Sequence, residues 1–223
     1  MTRTAIVAGA TGLIGRELVR LLTEDAAYDE VIALVRSRTD WEGGRPEELV
    51  TDWSESRLES LLRDKLPGAD VFCALGTTMK KAGAKEPFRR VDFDYPLTLG
   101  RLARAHGASR VLVVSSTGAD PKSMFFYSRV KGEMEAALRA LGLPELHFFR
   151  PSLLLGQRKN DNRPGEKLAE AVSGALPFLF RGPLQRYKPI HAASVARGMI
   201  RAARRESAGE HVWESEEIEA LSH

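Results

Sequence analysis

The feature that most constrains this chain is a glycine-rich turn close to its N-terminus. The apolar run Thr4–Ala8 leads directly into glycines at three-residue spacing, and an amphipathic stretch follows them. The glycines are Gly9, Gly12 and Gly15. In such a turn the first glycine allows a sharp bend, the second lets the backbone approach a pyrophosphate, and the third packs a helix on the strand. The pattern predicts a dinucleotide-binding βα unit, with an ordinary glycine-rich loop as the alternative.

Short apolar runs alternate with amphipathic stretches along the rest of the chain. Strands are predicted at Thr4–Ala8, Val31–Val35, Leu49–Trp53, Val71–Leu75, Arg110–Val114 and Leu146–Phe149. Helices are predicted at Leu13–Glu24, Arg57–Leu66, Tyr95–Ala105, Phe126–Leu141 and Val195–Ala203. Alternation at this spacing is typical of a parallel sheet with helices on both faces. The sequence therefore predicts an α/β fold, a doubly wound parallel sheet of the Rossmann type.

The length and composition favour a single domain. The 223 residues are 43% hydrophobic and 28% charged, which suits one α/β unit with its own core. Residues 1–223 are predicted to form one NAD(P)-binding domain, in which the less regular residues 152–223 contribute a small cap on the substrate side. Within that part, Gly156–Gly165 is predicted to be a loop and the acidic tail Glu214–Glu219 to be exposed.

Charge and cysteine content argue against several classes of protein. The 33 Lys and Arg residues are interspersed with 30 Asp and Glu residues, whereas a nucleic-acid-binding protein clusters its positive charge on one face. The single cysteine, Cys73, lies in an apolar run and is interpreted as a core residue rather than a nucleophile. The chain starts without the apolar stretch of a signal peptide and has no membrane-spanning run, so a cytoplasmic protein is expected. No metal site is predicted, because the histidines lack the neighbouring Cys, His or Asp residues at the spacing typical of metal ligands.

The end of the second predicted strand bears on which nucleotide binds. A carboxylate at this place binds the ribose hydroxyls of NAD(H), whereas a cation favours the 2′-phosphate of NADP(H). Arg36 stands there, and its planar guanidinium suits a phosphate. The sequence favours NADP(H) over NAD(H), with a solvated surface arginine as the alternative. Asp52, after the third strand, is interpreted either as an adenine contact or as a residue at the start of a helix.

The fourth predicted strand ends at Leu75 and Gly76. In an open parallel sheet, ligands bind outside the carboxyl ends of the strands, near the switch in strand order. Gly76 at this position would let the backbone pass close to a dinucleotide. The basic segment Met79–Lys85 follows and is predicted to be a mobile loop, which either closes over the site or is simply solvated.

A tyrosine and a lysine four residues apart form the candidate catalytic pair. Tyr127 and Lys131 lie on a predicted helix, where this spacing places both side chains on one face. An ammonium next to a phenol favours the phenolate, and the phenol can exchange a proton with a carbonyl or alcohol while a nicotinamide exchanges hydride. Ser115 and Ser116 end the fifth strand, where a hydroxyl would hydrogen-bond the substrate oxygen. The sequence does not separate the two serines.

Six blocks of this sequence resemble the short-chain dehydrogenase/reductase superfamily, and specifically its atypical branch. The blocks are Gly9–Gly15, Ala74–Gly83, Phe88–Tyr95, Ser115–Asp120, Phe126–Glu135 and Phe149–Gly156. The resemblance implies an NADP(H)-binding Rossmann protein with Tyr127 as proton donor and acceptor. The cofactor contacts that it implies are Thr11, Gly12, Leu13, Ile14, Arg36, Leu75, Gly76, Tyr127, Lys131, Leu154 and Arg163.

The sequence thus favours an NADP(H)-dependent oxidoreductase that acts on a small-molecule carbonyl or alcohol. Two alternatives stay open. The first is a nucleotide sensor whose occupancy alters its association with a protein partner. The second is an epimerase or dehydratase that retains its cofactor. A monomer or homodimer is expected, without nucleic acid or a membrane span.

Overall fold

The apolar runs of the sequence form the strands of one parallel sheet. The computed structural model describes residues 3–41, 46–155, 188–205 and 207–223. Its strands are β1 (Thr4–Ala8), β2 (Glu30–Val35), β3 (Glu47–Val50), β4 (Asp70–Cys73), β5 (Arg110–Val114), β6 (Glu145–Arg150), β7 (Leu154–Leu155), β8 (Ile190–His191) and β9 (Gly209–Glu214). Seven of these strands pair in parallel in the order β3-β2-β1-β4-β5-β6-β9, and β7 pairs with β8. The order 3-2-1-4-5-6 is that of a doubly wound Rossmann sheet, so the predicted fold class is confirmed.

Helices cover both faces of this sheet. They are α1 (Leu13–Thr23), α2 (Glu55–Leu62), α3 (Met79–Ala82), α4 (Lys85–Arg89), α5 (Tyr95–Ala105), α6 (Phe126–Arg139), α7 (Ala192–Ala203) and α8 (Ser215–Leu221). Buried side chains of α1 and α7 pack in the core on one face, and those of α2, α5 and α6 pack in the core on the other. In the part of the chain that is described, no helix is long and apolar enough to cross a membrane.

Strand β1 shows why the central strands are apolar on both faces. All five of its residues are buried. Ala5 and Val7 point into the core beneath α1 and α7, whereas Ile6 and Ala8 point into the core beneath α2, α5 and α6. Because successive side chains alternate between the two faces, a strand that is covered on both sides needs apolar residues throughout.

Two segments differ from their predictions. The basic segment Met79–Lys85 is predicted to be a loop, but it forms α3 and the first residue of α4. Thr78 is the N-cap residue of α3, and its hydroxyl oxygen accepts a hydrogen bond from the Lys81 amide. Gly83 ends the helix with a φ of +75°. A helix this short has no repeating apolar stripe that sequence analysis can detect.

The C-terminal tail is also more ordered than predicted. Glu214 ends β9, and α8 begins at Ser215 with Glu214 and Glu217 capping it reciprocally. Glu216 and Glu217 are exposed as expected, but Ile218 is fully buried next to Gly198 of α7. The prediction of a wholly exposed tail is therefore wrong. Within residues 188–223, β9 extends the main sheet and α7 packs on α1, while a cap formed by residues 152–223 stays a prediction.

Charged side chains at the amino ends of the strands form a buried ion-pair network. Asp70, at the start of β4, accepts hydrogen bonds from Arg3 and from the Tyr28 hydroxyl, the latter at 2.7 Å. Arg110, at the start of β5, joins Asp70 at 2.8 Å and Glu145 at 3.0 Å. Buried charges are tolerated when they are paired and hydrogen-bonded. The network thus completes the edge of the sheet that lies opposite the glycine-rich turn.

His147 of β6 extends this network. Its Nε2 lies 2.7 Å from Glu145 Oε1, and its Nδ1 accepts a hydrogen bond from Trp213 Nε1 at 3.1 Å. These partners fit a neutral imidazole with its proton on Nε2, because a proton on Nδ1 would break the bond from Trp213. Burial lowers the pKa of His147 below its usual 6.5, and this outweighs the opposite influence of Glu145.

We expect stability to fall as the pH drops below about 6.5. The folded pKa of His147 is depressed, so the unfolded chain takes up a proton first as the pH falls. The histidine's contribution is therefore present above the unfolded pKa and is lost as the pH falls through the folded pKa. Thermal unfolding between about pH 7.5 and pH 5.5 measures this slope. His147→Phe is expected to reduce the slope and His223→Gln, at the exposed C-terminus, to leave it unchanged; equal slopes in wild type and His147→Phe would contradict the assignment.

Candidate functional site

The glycine-rich turn has no room for side chains at two of its glycines. Gly9 has a φ of +78°, and a Cβ on it would lie 2.5 Å from the Ala74 carbonyl oxygen. A Cβ on Gly15 would overlap the carbonyl oxygen of Gly9. The Gly12 amide donates to Gly9 O at 2.9 Å and closes the turn. These contacts bring the start of α1 against the carboxyl ends of β1 and β4, as the glycine spacing predicts.

The N-terminus of α1 is open to a ligand. Gly12 is its N-cap residue, and no side chain caps the helix there. The first amides of an α-helix, here those of Leu13 and Ile14, have no acceptor within the helix, and Thr11 next to the turn is exposed. Such amides, together with the positive end of the helix dipole, form an anion-binding site.

The other predicted cofactor residues lie at the same edge of the sheet. Arg36 follows β2 and is exposed, Gly76 follows β4 and is exposed, and Leu75 beside it is partly buried. Leu154 lies in β7, after β6, and packs partly buried against the core beneath α1 and α7. The strand order reverses between β1 and β4, so these residues surround the place where ligands of such sheets bind. Arg163 lies outside the described residues.

Asp52 takes the second of the two roles considered for it. Its Oδ1 accepts hydrogen bonds from the Ser54 hydroxyl at 2.7 Å and the Ser54 amide at 2.9 Å. Ser54 is the N-cap residue of α2. These hydrogen bonds lower the pKa of the Asp52 carboxyl. The geometry favours a residue that organises the start of α2, and an adenine contact stays a prediction.

Tyr127 and Lys131 occupy the first two turns of α6 in contrasting environments. The Tyr127 side chain is 42% exposed, and its ring lies edge-on to Phe88 with centroids 5.8 Å apart. Lys131 is only 3% exposed and lies beneath the carboxyl end of β5, with its Nζ 3.4 Å from the Val114 carbonyl oxygen. The phenol is thus accessible to a substrate, while the ammonium is enclosed by protein.

The structure adds an acidic residue to this pair. Asp92 is fully buried; its Oδ1 lies 2.9 Å from Lys131 Nζ, and its Oδ2 accepts the Thr77 amide at 2.9 Å. Burial alone would lower the pKa of Lys131, but Asp92, and after it Tyr127, outweigh burial and the pKa is raised. Lys131 is therefore held as an ammonium ion at neutral pH.

Asp92 reaches this position because of a π-helical turn. Residues Arg90–Asp94 form one wide turn between α4 and α5, in which the Tyr95 amide donates to Arg90 O, five residues back. The predicted helix began only at Tyr95. The signal for Asp92 in the sequence was its spacing from apolar neighbours, because Phe88, Asp92 and Leu99 recur at helical intervals and both flanking residues are buried. A charged residue on an otherwise apolar stripe indicates a paired or functional side chain.

The two candidate serines have unused hydroxyls. Ser115 and Ser116 are both buried, and within the described ranges neither Oγ has a hydrogen-bond partner. Thr117 next to them differs, because its hydroxyl donates to the Arg150 carbonyl oxygen at 3.0 Å. Buried hydroxyls are normally hydrogen-bonded, so an unpaired one points to a ligand or water. Both serines remain candidates, whereas Thr117 is engaged in structure.

Cys73 is a core residue, as the sequence predicts. It is buried at the end of β4, and burial raises the pKa of its thiol to about 11. A neutral thiol in such surroundings is a poor nucleophile. Over the residues that can be described, no three or more His, Cys, Asp or Glu side chains gather where they could hold a metal ion.

Comparison with known proteins agrees with this geometry. A family model described as NAD(P)H-binding matches residues 9–206, most of the chain. The chain belongs to the NAD(P)H-binding family. A nicotinamide dinucleotide as its cofactor is therefore supported, without distinction between NAD(H) and NADP(H).

Two relatives of this protein support its predicted membership of the atypical branch of the short-chain dehydrogenase/reductase superfamily. Protein HTATIP2 of Rattus norvegicus is 37% identical over 180 residues, which cover 78% of this chain and 72% of that protein. Protein FMP52, mitochondrial, of Candida albicans is 29% identical over 209 residues, 93% of this chain and 90% of that protein.

Solved structures share the fold. MoeE5 in complex with UDP-glucose and NAD superimposes with a TM-score of 0.69 at 18% identity, over 98% of this chain and 80% of that one. UDP-glucose 4-epimerase from Thermotoga maritima, with UDP-glucose, gives a TM-score of 0.67 at 15% identity, over 93% of this chain and 75% of that one. At these identities the likeness establishes the Rossmann-type fold of the family and nothing finer.

The cytoplasmic location predicted from the sequence is contradicted. The fungal relatives from Candida albicans, Emericella nidulans and Saccharomyces cerevisiae, which are 29%, 33% and 31% identical, are all named mitochondrial. These names do not agree with the predicted cytoplasmic location. The prediction failed because it considered only secretory signals, which contain an apolar stretch. The targeting segments of other compartments are amphipathic, so the absence of an apolar stretch does not argue against those compartments.

Replacement of Gly9 is expected to destabilise the protein more than replacement of Gly118, a glycine with the same backbone conformation. Gly9 and Gly118 both have a φ of +78°, but only Gly9 would bring a Cβ against the Ala74 backbone, since nothing lies within 4 Å of a Cβ on Gly118. Gly9→Ala should lower the free energy of unfolding by about 2 kcal/mol more than Gly118→Ala, measured by denaturant titration. Equal losses would show that backbone conformation, and not the close approach to Ala74, explains Gly9.

Proposed function

We propose that this protein is an NADP(H)-dependent oxidoreductase that interconverts a carbonyl compound and its alcohol. The observation that carries the proposal is the accessible phenol of Tyr127 beside the enclosed ammonium of Lys131, at the edge of the sheet where the glycine-rich turn opens. A phenol of this kind, next to a fixed positive charge, suits proton exchange with an oxygen atom.

The residues at this edge fit a dinucleotide. A Cβ at Gly9 or Gly15 would collide with backbone, whereas one at Gly76 would meet its nearest atom, Asp92 Oδ1, only at 3.5 Å. The glycine-rich turn would hold the pyrophosphate on the open amides at the start of α1. Gly76 would let the nicotinamide half pass over the end of β4. When bound, the cofactor supplies or accepts the hydride at its nicotinamide ring.

The side chains around this space would handle the proton. In reduction, the Tyr127 hydroxyl would give its proton to the carbonyl oxygen of the substrate; in oxidation, Tyr127 would take the proton back from the alcohol. The Lys131 ammonium stabilises the negative charge that is left on the phenol. The hydroxyl of Ser115 or of Ser116, neither of which has another partner in the described structure, would donate to the substrate oxygen.

Arg36 supports NADP(H) as the nucleotide. It is the first residue after β2, is exposed, and lies at the same edge as the glycine-rich turn. A guanidinium at this position recognises the 2′-phosphate by charge-assisted hydrogen bonds. The neighbouring residues Ser37 and Arg38 carry no carboxylate that would favour the free ribose hydroxyls.

The nucleotide assignment predicts a preference for NADPH that depends on Arg36. Calorimetry with wild type should show tighter binding of NADPH than of NADH. Arg36→Ala should weaken NADPH binding roughly 10- to 100-fold and leave NADH binding nearly unchanged. Arg38→Ala, two residues further on and also exposed, serves as the control for general positive charge. Equal affinities for the two nucleotides in wild type would overturn the preference.

The catalytic assignment predicts that turnover depends on the Tyr127 hydroxyl. Met124 and Phe125, directly before α6, are 94% and 77% exposed, so a panel rich in apolar aldehydes and ketones is the appropriate screen. Tyr127→Phe should lower kcat by about 10²- to 10⁴-fold while NADPH affinity stays within about threefold. Full turnover in Tyr127→Phe would refute the proton-transfer role. NADPH binding without turnover of any compound by wild type would favour a nucleotide sensor instead.

A further inference from the structure

We propose that Asp92 is a positioning residue of the site, which holds the Lys131 ammonium and the backbone after β4 in place through one buried carboxylate. The proposal rests on the proposed function for its catalytic consequence, because Lys131 matters for turnover only if Tyr127 transfers a proton. The pairing itself is independent of turnover and is tested separately below.

The geometry gives each carboxylate oxygen a different partner. Oδ1 lies 2.9 Å from Lys131 Nζ, on α6, and Oδ2 accepts the Thr77 amide, on the segment that follows β4. Gly76, beside Thr77, is close enough that a Cβ on it would lie 3.5 Å from Oδ1 and 4.0 Å from Nζ. Asp92 thus links the helix that carries the catalytic pair to the backbone that would face the cofactor.

The orientation of the ammonium follows from these contacts. A lysine ammonium has three N–H donors. The Val114 carbonyl oxygen accepts from one of them at 3.4 Å, and Asp92 Oδ1 lies at ion-pair distance, 2.9 Å from Nζ. The other titratable groups that act on Lys131 are Tyr127, one turn back on α6, and Cys73, at the end of β4. Burial raises the pKa of the Cys73 thiol to about 11, so the thiol is neutral and adds no negative charge beside the ammonium.

A carboxylate is required here for an electrostatic reason. A buried ammonium without a counter-ion tends to lose its proton, and a buried unpaired charge is strongly destabilising. Asn at position 92 would keep the size of the side chain, but it would place an NH2 group at one of the two positions that face Lys131 and Thr77, and it would leave the ammonium unneutralised. Asp92 therefore maintains the charged form of Lys131 that the phenol needs.

The first test compares the stability of Asp92→Asn and Asp94→Asn without nucleotide. Both variants remove one negative charge from the same π-helical turn, but Asp94 is exposed. At pH 7, Asp92→Asn should lower Tm by on the order of 5–15 °C and Asp94→Asn by about 1 °C or less.

The pH dependence of this loss distinguishes charge pairing from packing. In wild type the pKa of Lys131 is raised. The Lys131 side chain is therefore protonated in both the folded and the unfolded chain until the pH approaches about 10. In Asp92→Asn, burial remains and the counter-ion is gone, so the folded chain binds fewer protons and its stability rises with pH. The Tm difference between wild type and Asp92→Asn should at least halve between pH 7 and about pH 10. A difference that is constant with pH would overturn the proposal.

A second comparison, made in the Lys131→Met variant, tests the pairing even if Asp92→Asn alone does not fold. Lys131→Met leaves the Asp92 carboxylate buried without its partner. Adding Asp92→Asn to Lys131→Met should then raise Tm, opposite in sign to its effect in wild type. If Asp92→Asn lowers Tm equally in both backgrounds, the two residues are not coupled and the assignment is wrong.

The functional arm measures turnover against pH for wild type and Asp92→Asn, with Asp94→Asn as control. Asp92→Asn should lose kcat at a lower pH than wild type, because its Lys131 gives up the proton earlier, and Asp94→Asn should follow wild type. A profile of Asp92→Asn parallel to that of wild type would refute the positioning role. If wild type has no turnover while both stability tests succeed, the proposed function fails and the Asp92–Lys131 pairing stands.

Discussion

The close approach of backbone to backbone at the start of α1 is the constraint on which the rest of the site depends. Gly9 lies against Ala74 at the end of β4, and Gly15 lies against Gly9. These contacts fix the height of α1 above the sheet and place its N-terminus beside the switch between β1 and β4. The elements that carry Arg36, Gly76 and the catalytic pair converge there because all their strands are parallel.

Polar groups are distributed unequally between the two edges of the sheet. At the amino edge, Asp70, Arg110 and Glu145 satisfy one another, and their network serves stability. At the carboxyl edge, the hydroxyls of Ser115 and Ser116 lack partners among the described residues. Buried hydroxyls without partners indicate a place where a ligand or water completes the structure.

The fold and most of the site were predictable because they depend on local patterns. Strands that are apolar throughout, glycines at fixed spacing and a tyrosine four residues before a lysine are all short-range signals. Asp92 was missed since its role arises from a widened helical turn and from partners on two other elements, Thr77 and Lys131. The burial of Ile218 beneath α7 likewise depends on tertiary contacts that a short acidic segment does not reveal.

Because of the π-helical turn, a deletion or insertion has different consequences at different positions of this helical segment. A π-turn holds one residue more than an α-turn, so deleting one residue between Arg90 and Tyr95 would restore regular winding and leave the helices before and after it in phase. Phe88 and Leu99 would stay buried, but the widened turn that carries the Asp92 carboxylate to the Lys131 ammonium would be lost. Natural variation in helix length should consequently accumulate near Ala105, at the far end, and avoid this single turn.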